Sequence, residues 1–364
     1  MTSSAESFQV LSLCTARPGH AAIADRLRSA VARVSDWPAL VNDAEAHGLE
    51  PLLFAHAREC GLSLPAETET RLKIRCVQHA HAAAVRTLAI GRTLDVLEAA
   101  GTPALILKGA ALAHLVYPSA SLRPMRDVDL IVPADRAARA WRLLLESGFA
   151  PSGQDPGSRH HHLQPLAISL HGVTVHLEIH TRPLATIPFV SSLGYEELAG
   201  RSQTFACGER AARTLSREDM LWHVYAHAFA IGVLRPEVRW ISVADLVAAV
   251  DAWVDVLDWD GLRRRYPRLV RALPHIGDVV PWSARVERRI GVRPRRDVTA
   301  SGTFSQKLWR NALAPRIWWP LPWWFDVRYG VDSPVRRCWY RMIAHPATVV
   351  ASALDLAWWK YVRP

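Results

Sequence analysis

The sequence predicts an α+β protein in which a small mixed β-sheet core is flanked by helical N- and C-terminal domains. Three observations predict it. Apolar residues recur at three- and four-residue spacing up to about residue 100, short apolar runs and strict alternation take over between about 104 and 180, and helical spacing returns from Ser216 onward. With 364 residues, 50% of them hydrophobic and 21% charged, the chain exceeds the usual size of one compact core and has the apolar material to fill it. A mean hydropathy of +0.02 excludes both wholesale disorder and a polytopic membrane protein.

The N-terminal region, residues 1–100, reads as all-helical. Ile23, Leu27, Val31 and Val34 share one face, Leu40, Ala44, Leu52 and Leu53 continue the pattern, and Pro38 and Pro51 mark breaks near helix starts. A longer helical stretch after Pro65 runs through Leu72, Cys76, Ala83, Leu88, Ile90, Leu94 and Leu97 and stops at Gly101. Residues 101–205 form the predicted sheet core. The continuous apolar run 104–107, between Pro103 and Gly109, suits a buried strand, and a helix is expected over 110–117. Val128, Leu130 and Val132 then alternate with Asp127 and Asp129, Pro133 ends that strand, and a helix follows over 134–147. After a polar loop at 151–160, residues 163–170 and 173–180 flank His171-Gly172 as a hairpin, weakened at its start by Pro165. A second helical domain is expected over 206–296, where Ser216 followed by Asp219 marks a helix start and another helix spans 238–253.

The formal net charge of +10 favours polyanionic partners: nucleotides, nucleic acid or an anionic membrane surface. Only Lys73, Lys108, Lys307 and Lys360 are lysines, so the surplus is nearly all arginine, a pattern that GC-rich coding also produces, and charge alone names no partner. Cys14, Cys60, Cys76, Cys207 and Cys338 include no CxxC pair, and their odd number leaves at least one unpaired in a monomer. Together with a polar N-terminus interrupted by Glu6, this leads us to expect a cytoplasmic protein without an export signal.

Residues 297–364 differ in character. Trp309, Trp318, Trp319, Trp323, Trp324, Trp339, Trp358 and Trp359, eight of the 15 tryptophans, stand among Arg316, Arg328, Arg336, Arg337 and Arg341. Such a mixture can stack nucleobases, touch a membrane surface peripherally, or pack a small helical unit. Residues 347–359 are too few to span a bilayer and include Asp355. The expectation is a segment that serves acceptor or surface binding apart from the catalytic core, with packing onto the core as the alternative.

The chemistry-bearing residues lie in the sheet region. Two carboxylates separated by one residue on a strand point to the same side, and Asp127-Val128-Asp129 supplies that pair for a divalent metal. A lone Asp-x-Asp is a weak signal, more often a solvated strand end. Its context changes the odds: a strand runs into Lys108-Gly109, where glycine permits close approach of backbone to phosphates, and Glu178 places a third carboxylate on the polar face of a later strand.

Leu107-Lys108-Gly109-Ala110, Tyr117-Pro118, Arg123, Arg126-Asp127-Val128-Asp129-Leu130, Gly148-Phe149 and Glu178-Ile179-His180 resemble an uncharacterised bacterial nucleotidyltransferase family of the polymerase-β-like superfamily. Residues 215–227 and Arg239-Trp240 through Asp245-Leu246 resemble its helical domain, so the likeness covers about residues 36–275. The resemblance implies a nucleotidyltransferase core in which Asp127, Asp129 and Glu178 are catalytic and hold Mg²⁺, or Mn²⁺, against a nucleoside triphosphate donor, ATP by default. It also implies that Lys108, Gly109, Ala110, Arg123 and Arg126 bind the nucleotide. His162, His176 and His180 become candidates for acceptor or auxiliary contacts, although a histidine on a half-buried strand is more often structural. Ala110 departs from the serine or glycine usual at that turn in the wider superfamily.

Other histidines carry weaker signals. His160, His161 and His162 have metal-ligand chemistry, but on an extended chain adjacent side chains alternate faces, so at most two are expected to converge. His223 and His227 lie one helical turn apart without an HExxH pattern, which points to packing or acceptor binding instead of a zinc protease. The implied acceptor is a small molecule, a peptide or a protein. Two other readings stay open: a toxin-like transferase that uses the arginines and tryptophans as an RNA surface for tRNA, and a non-catalytic nucleotide-binding protein of the same fold.

Overall fold

The computed structural model describes residues 5–20, 23–157, 160–184, 193–230, 238–291 and 321–350. Its first helices are α1 (Ala5–Cys14), α2 (Ala24–Val31), α3 (Trp37–His47), α4 (Glu50–Glu59) and α5 (Ala66–Ala99). Local chemistry sets their ends. Asp36 caps α3 by accepting the Ala39 N–H at 2.9 Å, Pro38 stands in the first turn, and Gly48 at φ +70° ends the helix. The 34 residues of α5 make a rod about 50 Å long. Its second half buries Val85, Ala89, Ile90, Leu94 and Leu97, and it packs against α4 and the sheet.

Seven strands among the described residues form one mixed sheet: β1 (Leu105–Ile106), β2 (Asp127–Ile131), β3 (Ala150–Pro151), β4 (Leu166–Leu170), β5 (Val173–His180), β6 (Gln203–Cys207) and β7 (Arg210–Thr214). Their order is β3-β4-β5-β2-β1-β7-β6; β2 runs parallel to β5 and β1 to β7, and the other neighbours are antiparallel. Between strands lie α6 (Lys108–Leu115), α7 (Ala137–Glu146) and α8 (Tyr195–Gly200). The alternation read from the sequence is realised: Val128, Leu130, Val175, Leu177 and Ile179 fill the core.

The mixed sheet runs on to Thr214, past residue 205. The additional pair is the β6–β7 hairpin, closed by the two-residue loop Gly208-Glu209 with Gly208 at φ +63°. Only Phe205, Cys207, Ala212 and Thr214 of this hairpin are buried, and Thr214 Oγ1 donates to the Ile106 carbonyl on β1 at 2.5 Å. Strand β4 begins at Leu166, one residue beyond Pro165, which has no N–H to give a ladder.

The remaining helices are α9 (Arg217–Tyr225), continued by a π-helical turn Ala226–Ala230, then α10 (Trp240–Trp253), α11 (Trp259–Arg265), α12 (Pro267–Ile276), α13 (Ala284–Ile290), α14 (Leu321–Tyr329) and α15 (Pro334–Trp339). Ser216 caps α9 by accepting the Asp219 N–H at 3.1 Å, as the sequence predicts. One hydrophobic core runs from α1 through the sheet to α14.

Of the tryptophan- and arginine-rich region, Trp309, Arg316, Trp318, Trp319, Trp358 and Trp359 lie outside the described residues. Its described part does not stand apart. Phe325, Val327, Tyr329 and Val331 are buried, and the Tyr225 hydroxyl on α9 meets the carbonyls of Val327 and Arg328 at 2.8 and 2.9 Å. No described helix is long and apolar enough to cross a membrane, and all five cysteines are free thiols.

Candidate active site

The site grows out of the turn between β1 and α6. Leu107 N–H donates to the Asp129 carbonyl at 2.9 Å, which ties the end of β1 to β2. Lys108 then adopts φ +46°, a conformation that side-chain-bearing residues rarely hold, and α6 begins. This sharp exit directs the Lys108 ammonium to Asp129, with Nζ 3.1 Å from Oδ1. Gly109 and Ala110 follow in the first turn of α6, where backbone N–H groups have no partner within the helix. Ala110 is buried and offers no hydroxyl.

Parallel pairing of β2 with β5 sets the acids side by side. Asp127 lies opposite His176, Asp129 opposite Glu178, and Ile131 opposite His180. His180 is fully buried; its Nε2 lies 2.7 Å from Asp129 Oδ1 and 3.5 Å from Glu178 Oε2. His162 forms an isolated antiparallel bridge with His180, and its Nε2 stands 3.7 Å from Glu178 Oε2. His176 is exposed and engages Ser152 Oγ, just past β3, through Nδ1 at 2.9 Å.

Three carboxylates so close repel one another. Loss of water and then the charges of Asp129 and Glu178 raise the Asp127 carboxyl above its ordinary range, against the pull of Lys108 and Arg123. Asp127 stands at the exposed end of β2, so solvent tempers that rise. Burial opposes ionisation of Asp129 too, but Lys108 and the His180 hydrogen bond outweigh it and hold this carboxyl well below the ordinary range. In His180, burial disfavours the charged form, and its bonds to Asp129 and Glu178 more than restore it. Behind them, His223 on α9 is buried and His227 in the π-helical turn is exposed. Burial and then the Lys108 charge hold the His223 imidazole well below its ordinary range.

These residues fit a divalent cation. Asp127, Asp129 and Glu178 offer hard oxygen donors on neighbouring strands, and an ion among them relieves the repulsion that raises Asp127. The ligand atoms of Asp129, Glu178 and His180 lie within 4.8 Å of one another. Lys108 and His180 both use Oδ1 of Asp129, and no described group bonds its Oδ2.

Of the arginines that the resemblance implies for the nucleotide, Arg123 is engaged within the chain. Its Nε and Nη2 grip Asp245 on α10, with Nη2 2.6 Å from Oδ2, and Nη1 donates to the Pro124 carbonyl at 2.9 Å. Tyr117 O–H donates to the same Asp245 at 2.9 Å. The guanidinium lies flat across Gly109, where a Cβ would fall 2.6 Å from Nε and nearer still to Cζ and Nη1. Arg123 therefore braces the turn, and glycine is required beneath it for space, not for an unusual φ. Sequence reasoning missed Asp245 as its partner because 122 residues separate them. Arg126 is exposed and has no ion pair among the described residues, which leaves its charge free. Arg86 on α5 and Arg239 before α10 are lowered first by burial and then by neighbouring arginines, Arg123 for Arg86 and Arg126 for Arg239, while Asp127 draws both the other way.

The histidine run corrects the expectation that at most two side chains converge. Ligand atoms of His160, His161 and His162 all lie within 4.8 Å of one another, and the His160 ring is centred 4.2 Å from each of the other two. The chain bends here instead of extending: His160 N–H donates to the Gly157 carbonyl, and only His162 enters the bridge.

None of the curated proteins matches the chain. Two solved structures of the antibiotic-resistance factor ANT(2'')-Ia are similar, one in solution and one in a crystal complex with adenylyl-2''-tobramycin. They share 16% and 18% identity with the chain and cover 53% and 50% of it, at 96% and 99% of their own length, with TM-scores of 0.36 and 0.34. A family model described as an uncharacterised nucleotidyltransferase matches residues 33–272, a span that holds the acids on β2 and β5, the Lys108 turn and Asp245. The chain belongs to this family and is a nucleotidyltransferase.

Proposed function

We propose that the chain transfers a nucleoside monophosphate from a nucleoside triphosphate, by default ATP, to a hydroxyl or phosphate oxygen of an acceptor, in a reaction dependent on Mg²⁺ or Mn²⁺. The observation that carries this reading is the in-register placement of Asp129 and Glu178 beside Asp127, under the Lys108 ammonium. Bound between these carboxylates, a divalent cation neutralises charge on the triphosphate and on the attacking oxygen.

The chain's own residues supply the rest. Lys108 and the free N–H groups at the start of α6 face the β- and γ-phosphates, and Arg126 adds an uncommitted guanidinium. Arg86 and Arg239, half-buried without an ion pair among the described residues, deepen the positive field around Asp127. The acceptor oxygen forms a bond to the α-phosphorus, the α–β bridging P–O bond breaks, and pyrophosphate leaves. Glu178 takes the acceptor proton. His180 holds Asp129 in place through its 2.7 Å bond, and Arg123 holds the turn.

Retention of all three acids beside Lys108 favours turnover over a non-catalytic nucleotide-binding protein. The acceptor is a small molecule, peptide or protein, and labelled triphosphate incubated with cell extract, followed by mass measurement, identifies the product. Asp127→Asn and Asp129→Asn keep the side-chain shape and lose the charge, so each abolishes labelling in a folded protein. Full labelling by either variant sinks the assignment.

A further inference from the structure

His162 is held more firmly than a loop histidine needs to be. Its backbone forms the bridge to His180, Leu163 N–H donates to the Ile179 carbonyl at 2.9 Å, and Thr181 N–H donates to the His161 carbonyl at 2.9 Å. Residues opposite each other across an antiparallel pair present their side chains to one face. Glu178, two residues before His180, shares that face and is the diagonal neighbour of His162. His162 Nδ1 lies 2.7 Å from the Leu163 carbonyl, an acceptor only, so Nδ1 carries the proton and Nε2 presents a lone pair. A backbone carbonyl orienting one ring nitrogen while the other stays free is the arrangement that metal-binding histidines use.

That lone pair faces Glu178 Oε2 at 3.7 Å, too far for a hydrogen bond. Two ligands about 2.1 Å from one ion, at an angle of about 120°, stand about 3.6 Å apart. We propose that His162 Nε2 is a nitrogen ligand to the cation held by Glu178, which gives the acceptor side of the site a preference for borderline divalent ions such as Co²⁺ or Zn²⁺ over Mg²⁺. This rests on the reading of Asp127, Asp129 and Glu178 as a cation site and goes beyond it, since that reading uses oxygen ligands alone. His180 is set aside as the nitrogen ligand because its Nε2 is engaged with Asp129. His161 stands beside His162, the two ring centres 5.0 Å apart.

The test uses the full chain loaded with Mn²⁺ for pulsed EPR, which detects hyperfine coupling to a directly bound imidazole nitrogen, and with Co²⁺ for its visible absorption. The wild type shows a histidine nitrogen on the ion. His162→Ala and His162→Gln both lose the coupling and weaken Co²⁺ at that position at least about tenfold, with Mg²⁺ affinity changed less. Circular dichroism and melting curves confirm that each variant is folded; His162→Gln serves where His162→Ala is not. Bound Mn²⁺ that depends on the three acids but shows no nitrogen coupling overturns the His162 proposal and leaves the acid site standing. Coupling that survives in both His162 variants and disappears in His161→Ala or His180→Gln overturns it equally. Absence of any divalent binding that responds to Asp127→Asn, Asp129→Asn or Glu178→Gln overturns the underlying cation site itself.

Discussion

Gly109→Ala tests the brace over the active-site turn. The backbone of Gly109 does not require glycine, so in isolation the substitution would stabilise by about 0.4–1 kcal/mol through the unfolded chain. In the folded protein the new Cβ would lie 2.6 Å from Arg123 Nε and nearer still to Cζ and Nη1, where ordinary contact needs about 3.5 Å, so the guanidinium has to retreat by more than about 1 Å. Its Nε bonds to Asp245 are already 3.1 and 3.2 Å, and such a shift carries them past hydrogen-bond range. Asp245 is 2% exposed, and breaking a buried charge pair on one side costs about 3–5 kcal/mol. The net expectation is a loss of about 2–4 kcal/mol by urea denaturation, with weaker nucleotide binding. In an Arg123→Ala background the added methyl meets no guanidinium, so Gly109→Ala is there neutral or slightly stabilising. A double-mutant cycle therefore gives a coupling of several kcal/mol. Additivity within about 0.5 kcal/mol would refute the reasoning.

Glu178→Gln slows transfer more than it weakens triphosphate binding, because the two aspartates remain; equal losses in both, measured by single-turnover kinetics and equilibrium binding, contradict the division of labour. His47, buried in α3, accepts the Trp240 N–H at Nδ1, and burial and then Arg239 lower its pKa to about 4. The unfolded chain binds its proton near pH 6.5, so this contribution is full above that value and is lost as pH falls from 6.5 to 4, by up to about 3 kcal/mol. His47→Asn keeps an acceptor that cannot titrate, and its stability profile is flatter over that window than the wild type's; parallel profiles refute the assignment. Ending the chain at residue 320 removes the buried Phe325, Val327, Tyr329 and Val331, at about 1.5–3 kcal/mol each, so cooperative melting disappears. A truncated protein with wild-type Tm would restore the view of an independent C-terminal segment.

The elements that were legible in the sequence were those whose periodicity and boundary residues agree. Strands β2 and β5 were readable because Val128, Leu130, Leu177 and Ile179 alternate with acids and histidines, and α9 because Ser216 and Asp219 mark its start. The β6–β7 hairpin was not read, although Phe205, Cys207, Ala212 and Thr214 do alternate around Gly208-Glu209; Ala212 and Thr214 are too small or too polar to stand out as apolar. For the site, the three acids and Lys108 lie on short local motifs. What Arg123 does depends on Asp245, and which histidines meet depends on a bend at His160 that no local pattern announces.

The grip of Asp245 on Arg123 also has a consequence for synthesis on the ribosome. The two residues are 122 positions apart, a stretch that takes on the order of ten seconds to make at about 5–20 residues per second. During that interval the acids of β2 and β5 and the Lys108 turn have all been made, yet the guanidinium over Gly109 has no counter-charge. Polypeptides released before α10 emerges carry the acids of β2 and β5 and the Lys108 turn without the carboxylate that holds Arg123 over Gly109. The brace over the Lys108 turn is thus completed late in translation, when α10 docks.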